Sequence, residues 1–199
     1  MGESKVKCPD CQKLDDSPRW RRLGAKLRGG SRLVVGVLAD TQGTLSMAQL
    51  DSVKRAFKGA DAILHAGGIG DVRVLEQLEP MAPVFAVNGN QDDQVVKYEV
   101  LQKVVLNFGP VRLGLTHGYG KPHGLKARLL KEFEGAGVSL IVYGRNFEPT
   151  AMQAGDVFFF NPGSISGTRP EGKKGTDRPR VGLLYLQGQC IEGQPGIPL

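Results

Sequence analysis

The chain has 199 residues, of which 40% are hydrophobic and 23% are charged, a composition that is typical of one folded domain and excludes a disordered chain. No run approaches the roughly 20 apolar residues that a membrane-spanning helix requires, and the first residues lack the apolar core of a signal peptide. We therefore predict a cytoplasmic protein with no transmembrane segment.

The formal net charge of +6 is concentrated at one end of the chain. Residues 1–32 hold nine Lys or Arg and four Asp or Glu, which leaves 17 basic and 16 acidic residues for 33–199. This division predicts a basic N-terminal arm (1–32) and a nearly neutral domain (33–199). Such an arm favours a protein partner with an acidic surface, with nucleic acid or an anionic surface as alternatives, although it would also serve as a solubilising tail.

The arm carries a CPDC sequence in which Cys8 and Cys11 have the spacing of half a zinc site. A structural zinc site needs four ligands, and the third cysteine of the chain, Cys190, stands alone. The pair therefore predicts either an incomplete zinc site that a partner completes or two thiols on a polar tail.

A short amphipathic helix is predicted from 18 to about 28, after Ser17 and Pro18 and before two glycines. Its apolar side chains are expected on one face and its basic side chains on another. The apolar face would pack on the rest of the molecule or serve a partner. The candidate partner-binding residues on this helix are Trp20, Arg19, Arg22 and Lys26.

The chain then alternates buried strands with amphipathic helices. Strands are predicted at 33–39, 62–66 and 83–87, with helices at 47–58 and 71–78. From residue 98 the pattern changes to a hairpin that turns at 107–110, a helix at about 124–134, a strand at 139–143 and further hairpins. The pattern favours an α/β (α+β) fold of two face-to-face sheets with helices outside. His65, inside the second strand, is expected to be a packed strand residue.

Five of the strands end in a short polar or glycine-rich turn, and these turns are expected to meet at one site. In chain order, the turns and one later motif are Asp40-Thr41-Gln42, Gly67-Gly68, Gly89-Asn90-Gln91-Asp92, His117-Gly118-Tyr119, Gly144-Arg145-Asn146-Phe147 and Asn161-Pro162-Gly163-Ser164. Together they resemble the DxH, GD, GNxD, HGH, GHTH and NPGS motifs of the calcineurin-like metallophosphoesterase superfamily. Within this superfamily they look most like the small bacterial and archaeal phosphodiesterases, a branch that includes the retromer scaffold subunit.

The resemblance implies a four-layer α/β/β/α sandwich over about 33–187 and a centre of two metal ions that hydrolyses phosphate esters. Three of the implied ligands remain here: Asp40, Asn90 and His117. The implied positions that have lost their ligand are Gln42, Gly68, Arg145 and Phe147. Gly68 stands where a carboxylate would bridge both ions.

Arg145 would repel a divalent ion, because it is a permanent cation at a ligand position. Two interpretations remain open. Arg145 pairs with Asp40 and fills the vacated centre, or it binds an anion such as phosphate.

The favoured hypothesis is a non-catalytic protein of this fold that acts as a protein-binding or scaffold module, with no cofactor in the two-metal centre. The alternative is a phosphodiesterase with a single Mn or Zn ion held by Asp40, Asn90 and His117. A third option is a sensor that binds a nucleotide or phosphate without hydrolysing it.

Overall fold

The computed structural model describes residues 18–121, 123–167 and 178–199. The CPDC pair, Cys8 and Cys11, and most of the polar loop at 167–180 lie outside the described residues, so zinc binding by the pair stays a prediction. In the described parts of the chain, no helix is long and apolar enough to cross a membrane.

The described elements comprise five helices and ten strands. In chain order they are α1 (Pro18–Gly29), β1 (Leu33–Leu38), α2 (Met47–Ala56), β2 (Ala62–Ala66), α3 (Arg73–Leu78), β3 (Val84–Val87), α4 (Gln94–Glu99), β4 (Lys103–Phe108), β5 (Val111–Thr116), α5 (Leu125–Glu132), β6 (Leu140–Tyr143), β7 (Thr150–Ala154), β8 (Val157–Asn161), β9 (Arg180–Gln187) and β10 (Cys190–Pro198).

The strands form two sheets of five, in the orders β10-β9-β1-β2-β3 and β4-β5-β6-β8-β7. Strands β1, β2 and β3 run parallel in the first sheet, and β5, β6 and β8 run parallel in the second. The remaining strands pair antiparallel, mostly through the hairpins that the sequence predicts at Gly109, Gly155 and Gly188.

Three apolar clusters hold the layers together. The largest lies between the sheets and includes Val35 of β1, Leu64 of β2 and Leu113 of β5. The second packs α2 and α3 on the outer face of the first sheet, and the third packs α5 on the outer face of the second. The order of layers is therefore helix, sheet, sheet, helix, which confirms the predicted α/β/β/α sandwich.

Local sequence explains where the helices begin. Ser46 caps α2 with a capping box, since its hydroxyl accepts from Gln49 N and the Gln49 side chain accepts from Ser46 N. Asp93 caps α4, a helix that the sequence analysis did not predict, by accepting from Val96 N at 2.9 Å. Asp93, a residue type that favours the N-cap position, was the signal in the sequence that could have predicted the start of this helix.

Helix α1 packs onto the body of the molecule, which is one of the two alternatives that the sequence left open for its apolar face. Leu23 is 1% exposed and joins the cluster between the sheets, where Trp20 meets Phe85 edge to face at a centroid distance of 5.4 Å. The apolar face of α1 is therefore occupied by the chain's own core.

The basic face of α1 is also partly engaged. Lys26 Nζ lies 2.8 Å from Asp61 Oδ2, and Arg22 lies 3.3 Å from the other oxygen of that buried carboxylate. Arg19 donates a long 3.5 Å bond to the Pro80 carbonyl. Of the four candidate partner-binding residues, Trp20 and Lys26 serve the fold, and Arg19 and Arg22 keep exposed guanidinium groups.

Candidate functional site

A cavity of about 280 Å³ lies where the predicted strand ends meet. It confirms the expected convergence, because its walls come from the turns after β1, β2, β3, β5 and β6. The lining residues are Asp40, Gln42, Gly68, Gly70, Gln91, Asp92, His117, Arg145 and Phe147.

The backbone around this cavity is strained. Among the described residues, the non-glycine residues with positive φ are Asp40 (59°), Gln42 (52°), Arg145 (62°) and Phe147 (56°), and all four line the cavity. A left-handed conformation costs a residue with a side chain about 1–3 kcal/mol, and such strain tends to cluster at functional sites. The turns at the ends of β1 and β6 thus hold a demanding geometry that places four side chains on one cavity.

Asp40 is the buried carboxyl group of the cavity. It is 3% exposed, and its Oδ2 has no hydrogen-bond partner among the described residues. Burial, with a further contribution from the charge of Asp92, raises the pKa of Asp40 to about 7, although the nearby Arg145 opposes the shift. The carboxyl group is therefore poised to take up or release a proton near neutral pH.

His117 faces Asp40 across the cavity. Its Nδ1 lies 2.8 Å from the Ala66 carbonyl, which can only accept, so Nδ1 carries the hydrogen and Nε2 presents a lone pair. Nε2 lies 3.9 Å from Asp40 Oδ1, and burial lowers the pKa of His117. The neutral ring is held tightly, since a Cβ on Gly67 would lie 2.5 Å from His117 Cβ.

Gly68 stands at the position of the implied bridging carboxylate, and its surroundings leave no room for a side chain. Its φ is +69°, and a Cβ built there would lie 2.5 Å from Asp40 Oδ1 and 3.0 Å from Asp40 Cα. Asp71, the next acidic residue along the chain, does not replace the bridging carboxylate, because its side chain accepts hydrogen bonds from Arg73.

Asn90 is not brought into the cavity with Asp40 and His117. It is exposed, and it lines a separate groove beside α4, where its carbonyl accepts from Lys97 Nζ. The cavity instead receives the two residues that follow it, Gln91 and Asp92. The three predicted remnant ligands therefore do not converge in this structure.

Asp92 is a site residue to which the sequence analysis gave no role. One of its oxygens accepts from Ile69 N and Gly89 N, and the other accepts from Gly70 N, at distances of 2.7–3.1 Å. This carboxylate therefore ties the turn after β2 to the turn after β3. Its place as the last residue of the GNQD motif was the signal that could have identified it.

Arg145 does not form the predicted ion pair with Asp40. Its Nε donates to the Gly120 carbonyl at 3.2 Å, and no salt bridge joins its guanidinium to a carboxylate among residues 18–121, 123–167 and 178–199. Arg145 has a left-handed backbone, and among the described residues Asp40 Oδ2 has no hydrogen-bond partner.

The remaining motif residues support the turns. His65 is fully buried in β2, as expected, with Nε2 3.0 Å from the Thr41 hydroxyl, and burial lowers the pKa of His65 to about 4. Asn161 donates to the Gly144 carbonyl and accepts from Gly163 N, which fixes the turn after β6 against the turn after β8. The NPGS motif is therefore a structural support beneath the cavity.

The donor set can be tested against the two metal ions that the fold implies. Within the described residues, no group of three or more His, Cys, Asp or Glu side chains is placed to hold a metal ion. Three described residues of these types line the cavity: Asp40, Asp92 and His117. Both oxygens of Asp92 already accept backbone N–H groups, so Asp40 and His117 are left as candidate ligands. Neither Gln42 nor Phe147 adds a carboxylate or an imidazole.

The fold and this arrangement of turns define a known class of protein. A family profile described as the calcineurin-like phosphoesterase superfamily domain matches residues 33–179. The chain belongs to this superfamily.

Curated relatives agree with the assignment. A probable metallophosphoesterase of Methanocaldococcus jannaschii, MJ0623, is 31% identical over 140 residues, which cover 68% of this chain and 69% of that protein. Phosphodiesterase YfcE of Escherichia coli K12 is also 31% identical over 140 residues, which cover 65% of this chain and 72% of YfcE. Among solved structures, a mutant of Vps29 from Entamoeba histolytica superposes with a TM-score of 0.65 at 20% identity, covering 81% of this chain and 97% of Vps29.

The raised pKa of Asp40 predicts a pH-dependent stability. Its folded-state pKa of about 7 lies above the ordinary value of 3.8, so the folded chain binds the extra proton between these values and loses stability as pH rises through them. Asp40→Asn removes this loss and suits a left-handed backbone. Urea unfolding should show the variant more stable than the parent by roughly 4 kcal/mol at about pH 8, and by less than about 1 kcal/mol at about pH 4.

Asp156→Asn, in the exposed turn between β7 and β8, is the matched control and should show no such difference. His65 titrates in the opposite sense but is common to all three chains, so it cancels in the comparison. A difference in the free energy of unfolding between Asp40→Asn and the parent that stays constant across this pH range would contradict the raised pKa of Asp40.

The crowding at Gly68 predicts an unequal cost for two similar substitutions. Gly68→Ala and Gly109→Ala both place a side chain at a φ near +65°, but a Cβ on Gly109 meets nothing within 4 Å. Gly68→Ala should therefore lower the free energy of unfolding by about 2 kcal/mol more than Gly109→Ala. Equal losses in urea unfolding would show that a side chain at 68 is accommodated.

Proposed function

We propose that this chain is a non-catalytic member of the calcineurin-like phosphoesterase superfamily that works as a binding module for a protein partner. In this proposal the fold and the strained turns are retained, and the hydrolytic centre of two metal ions is not assembled. The residues of the site decide what this chain does, because a shared fold does not by itself fix a shared activity.

The observation that carries the proposal is the environment of Gly68. Two-metal hydrolysis depends on a carboxylate that holds both ions a few Å apart. A side chain at 68 would collide with Asp40, so this backbone does not accept the bridging group. The free Nη groups of Arg145 add a permanent positive charge to the same cavity, which further disfavours two divalent cations.

A second candidate function is a phosphodiesterase with a single metal ion. It is favoured by the proximity of Asp40 Oδ1 and His117 Nε2, which lie 3.9 Å apart in one cavity. The relative YfcE is named a phosphodiesterase. Asn90, the third ligand of this hypothesis, would have to move from the groove beside α4 to reach the ion.

Hydrolysis of an aryl phosphodiester with saturating Mn²⁺ tests the proposal. The chain should turn over the ester at least about three orders of magnitude more slowly than YfcE assayed in parallel, because the bridged pair of ions supplies the nucleophile and much of the charge stabilisation. Asp40→Asn, which keeps the turn but removes the carboxylate, should leave any residual rate unchanged.

Mn²⁺-dependent turnover that Asp40→Asn abolishes would overturn the proposal and establish the one-metal alternative. An added comparison uses His117→Gln in the same assay, since loss of activity in both variants but not in Asp156→Asn would locate the ion in the cavity.

The partner that we propose carries an acidic surface, because the positive charge of the chain lies on its N-terminal arm. Packing of α1 engages Trp20 and Lys26 in the fold, and the exposed arginines Arg19 and Arg28 are the contacts that we propose for the described part of the arm. Nucleic acid and anionic membranes remain the alternative ligands of such a surface.

Charge reversal tests the partner surface. The double variant Arg19→Glu/Arg28→Glu should fold normally, because both side chains are exposed, and it should lose a salt-sensitive complex with an acidic protein that the parent chain captures. Arg112→Glu, at an exposed position of β5, is the charge-matched control. Capture that survives in the double variant, or that is replaced by nucleic acid, would contradict the assignment.

A further inference from the structure

We propose that the cavity at the strand ends binds hydrogen phosphate without a metal ion, with Arg145 pairing with the anion and the buried carboxyl of Asp40 accepting its P–OH. The inference rests on the proposed function in one respect, since it takes the cavity to be free of metal ions.

The first argument is the charge that lines the cavity. Arg145 lies on the wall, and within the described residues only its Nε is engaged, by the Gly120 carbonyl. A guanidinium offers five N–H donors in a planar fork, so its two Nη groups remain to pair with an oxyanion. No carboxylate among the described residues takes that place.

The same cavity also contains two hydrogen-bond acceptors. Among the described residues, Asp40 Oδ2 is buried without a hydrogen-bond partner, and His117 Nε2 is left as a lone pair because Nδ1 donates to the Ala66 carbonyl. A buried acceptor without a donor is costly, so a ligand that fits this cavity should bring O–H or N–H groups of its own. An anion with no hydrogen would pair with Arg145, but it would donate nothing to Asp40 and would add a second negative charge beside its carboxylate.

These two requirements select the ligand. The anion has to accept from Arg145 and to donate to Asp40 or His117. Hydrogen phosphate does both, because it carries P–O⁻ acceptors and a P–OH donor, whereas sulfate has the same shape and charge with no donor. The amides of Gln42 and Gln91 line the same cavity and can serve either kind of atom.

The strained backbone is the third argument. Among the described residues, the left-handed non-glycine residues include both Asp40 and Arg145, the two groups that would contact the anion. Strain of this kind persists where the surrounding structure enforces it and often marks a ligand site. It places a carboxyl and a guanidinium on one cavity without letting them pair with each other.

The test is isothermal titration calorimetry of the full chain with EDTA present throughout, at about pH 8, where inorganic phosphate and sulfate are both dianions and phosphate alone keeps a hydrogen. Phosphate should bind at least about tenfold more tightly than sulfate. Phenyl phosphate at this pH is a dianion without a P–OH group, because the second pKa of a phosphate monoester is near 6. It should bind no better than sulfate, which separates free phosphate from a phosphate ester as the ligand.

Two variants assign the contacts. Arg145→Gln should weaken phosphate and sulfate together by about tenfold or more, because it removes the cation that both anions need. Asp40→Asn should narrow the preference for phosphate toward equality, because its Nδ2 can donate to sulfate. Arg112→Gln, exposed on β5, is the matched control for loss of charge, and thermal melts confirm that each variant is folded.

Absence of phosphate binding in EDTA, or equal binding of phosphate and sulfate by the parent chain, would overturn this inference and leave the proposed function intact. Phosphate binding that requires Mn²⁺, together with Mn²⁺-dependent hydrolysis, would overturn both. Tighter binding of phenyl phosphate than of phosphate would also overturn the assignment of the P–OH group to Asp40.

Discussion

The layer of apolar side chains between the two sheets is the constraint on which the rest of the molecule depends. Each sheet buries its inner face mainly against the other, with α1 adding Leu23 and Trp20 to the layer. The parallel strands β1 to β3 and β5 to β6 end at the same edge of that layer. Their turns therefore crowd into a small volume whatever residues they carry. The cavity is a product of this packing, and its chemistry is decided by the few side chains placed on it.

Much of the architecture could be predicted from the sequence because its signals are strong and local. Continuous apolar runs predict the buried strands, and Ser46 predicts the start of α2. Helix α4 escaped prediction because it is short and mostly exposed, so it has little hydrophobic periodicity. For the apolar face of α1 the sequence left two surfaces open, the chain's own core and a partner, because an amphipathic stripe predicts burial but does not say against which surface.

The candidate site was predictable in its membership and not in its contacts. The motif spacing identified Asp40, Gly68, His117 and Arg145, and all four line the cavity. Whether Arg145 pairs with Asp40 depends on the direction of the backbone at the end of β6. The positive φ of Arg145 cannot be predicted from the sequence, so the absence of this ion pair could not be predicted either. Likewise, the displacement of Asn90 into the groove beside α4 depends on how Asp92 anchors the two neighbouring turns.

The docking of α1 has a consequence for where this molecule can be cut. The family match begins at residue 33, yet Asp61 lies in the body and takes Lys26 and Arg22 from the helix before that point. Without α1, the buried Asp61 carboxylate would still accept from Val34 N but would lose both cations. The ring of Phe85 would also lose its edge-to-face contact with Trp20. A chain cut at the family boundary would therefore lose contacts that its body makes with α1, and we expect a cut before Pro18 to preserve them.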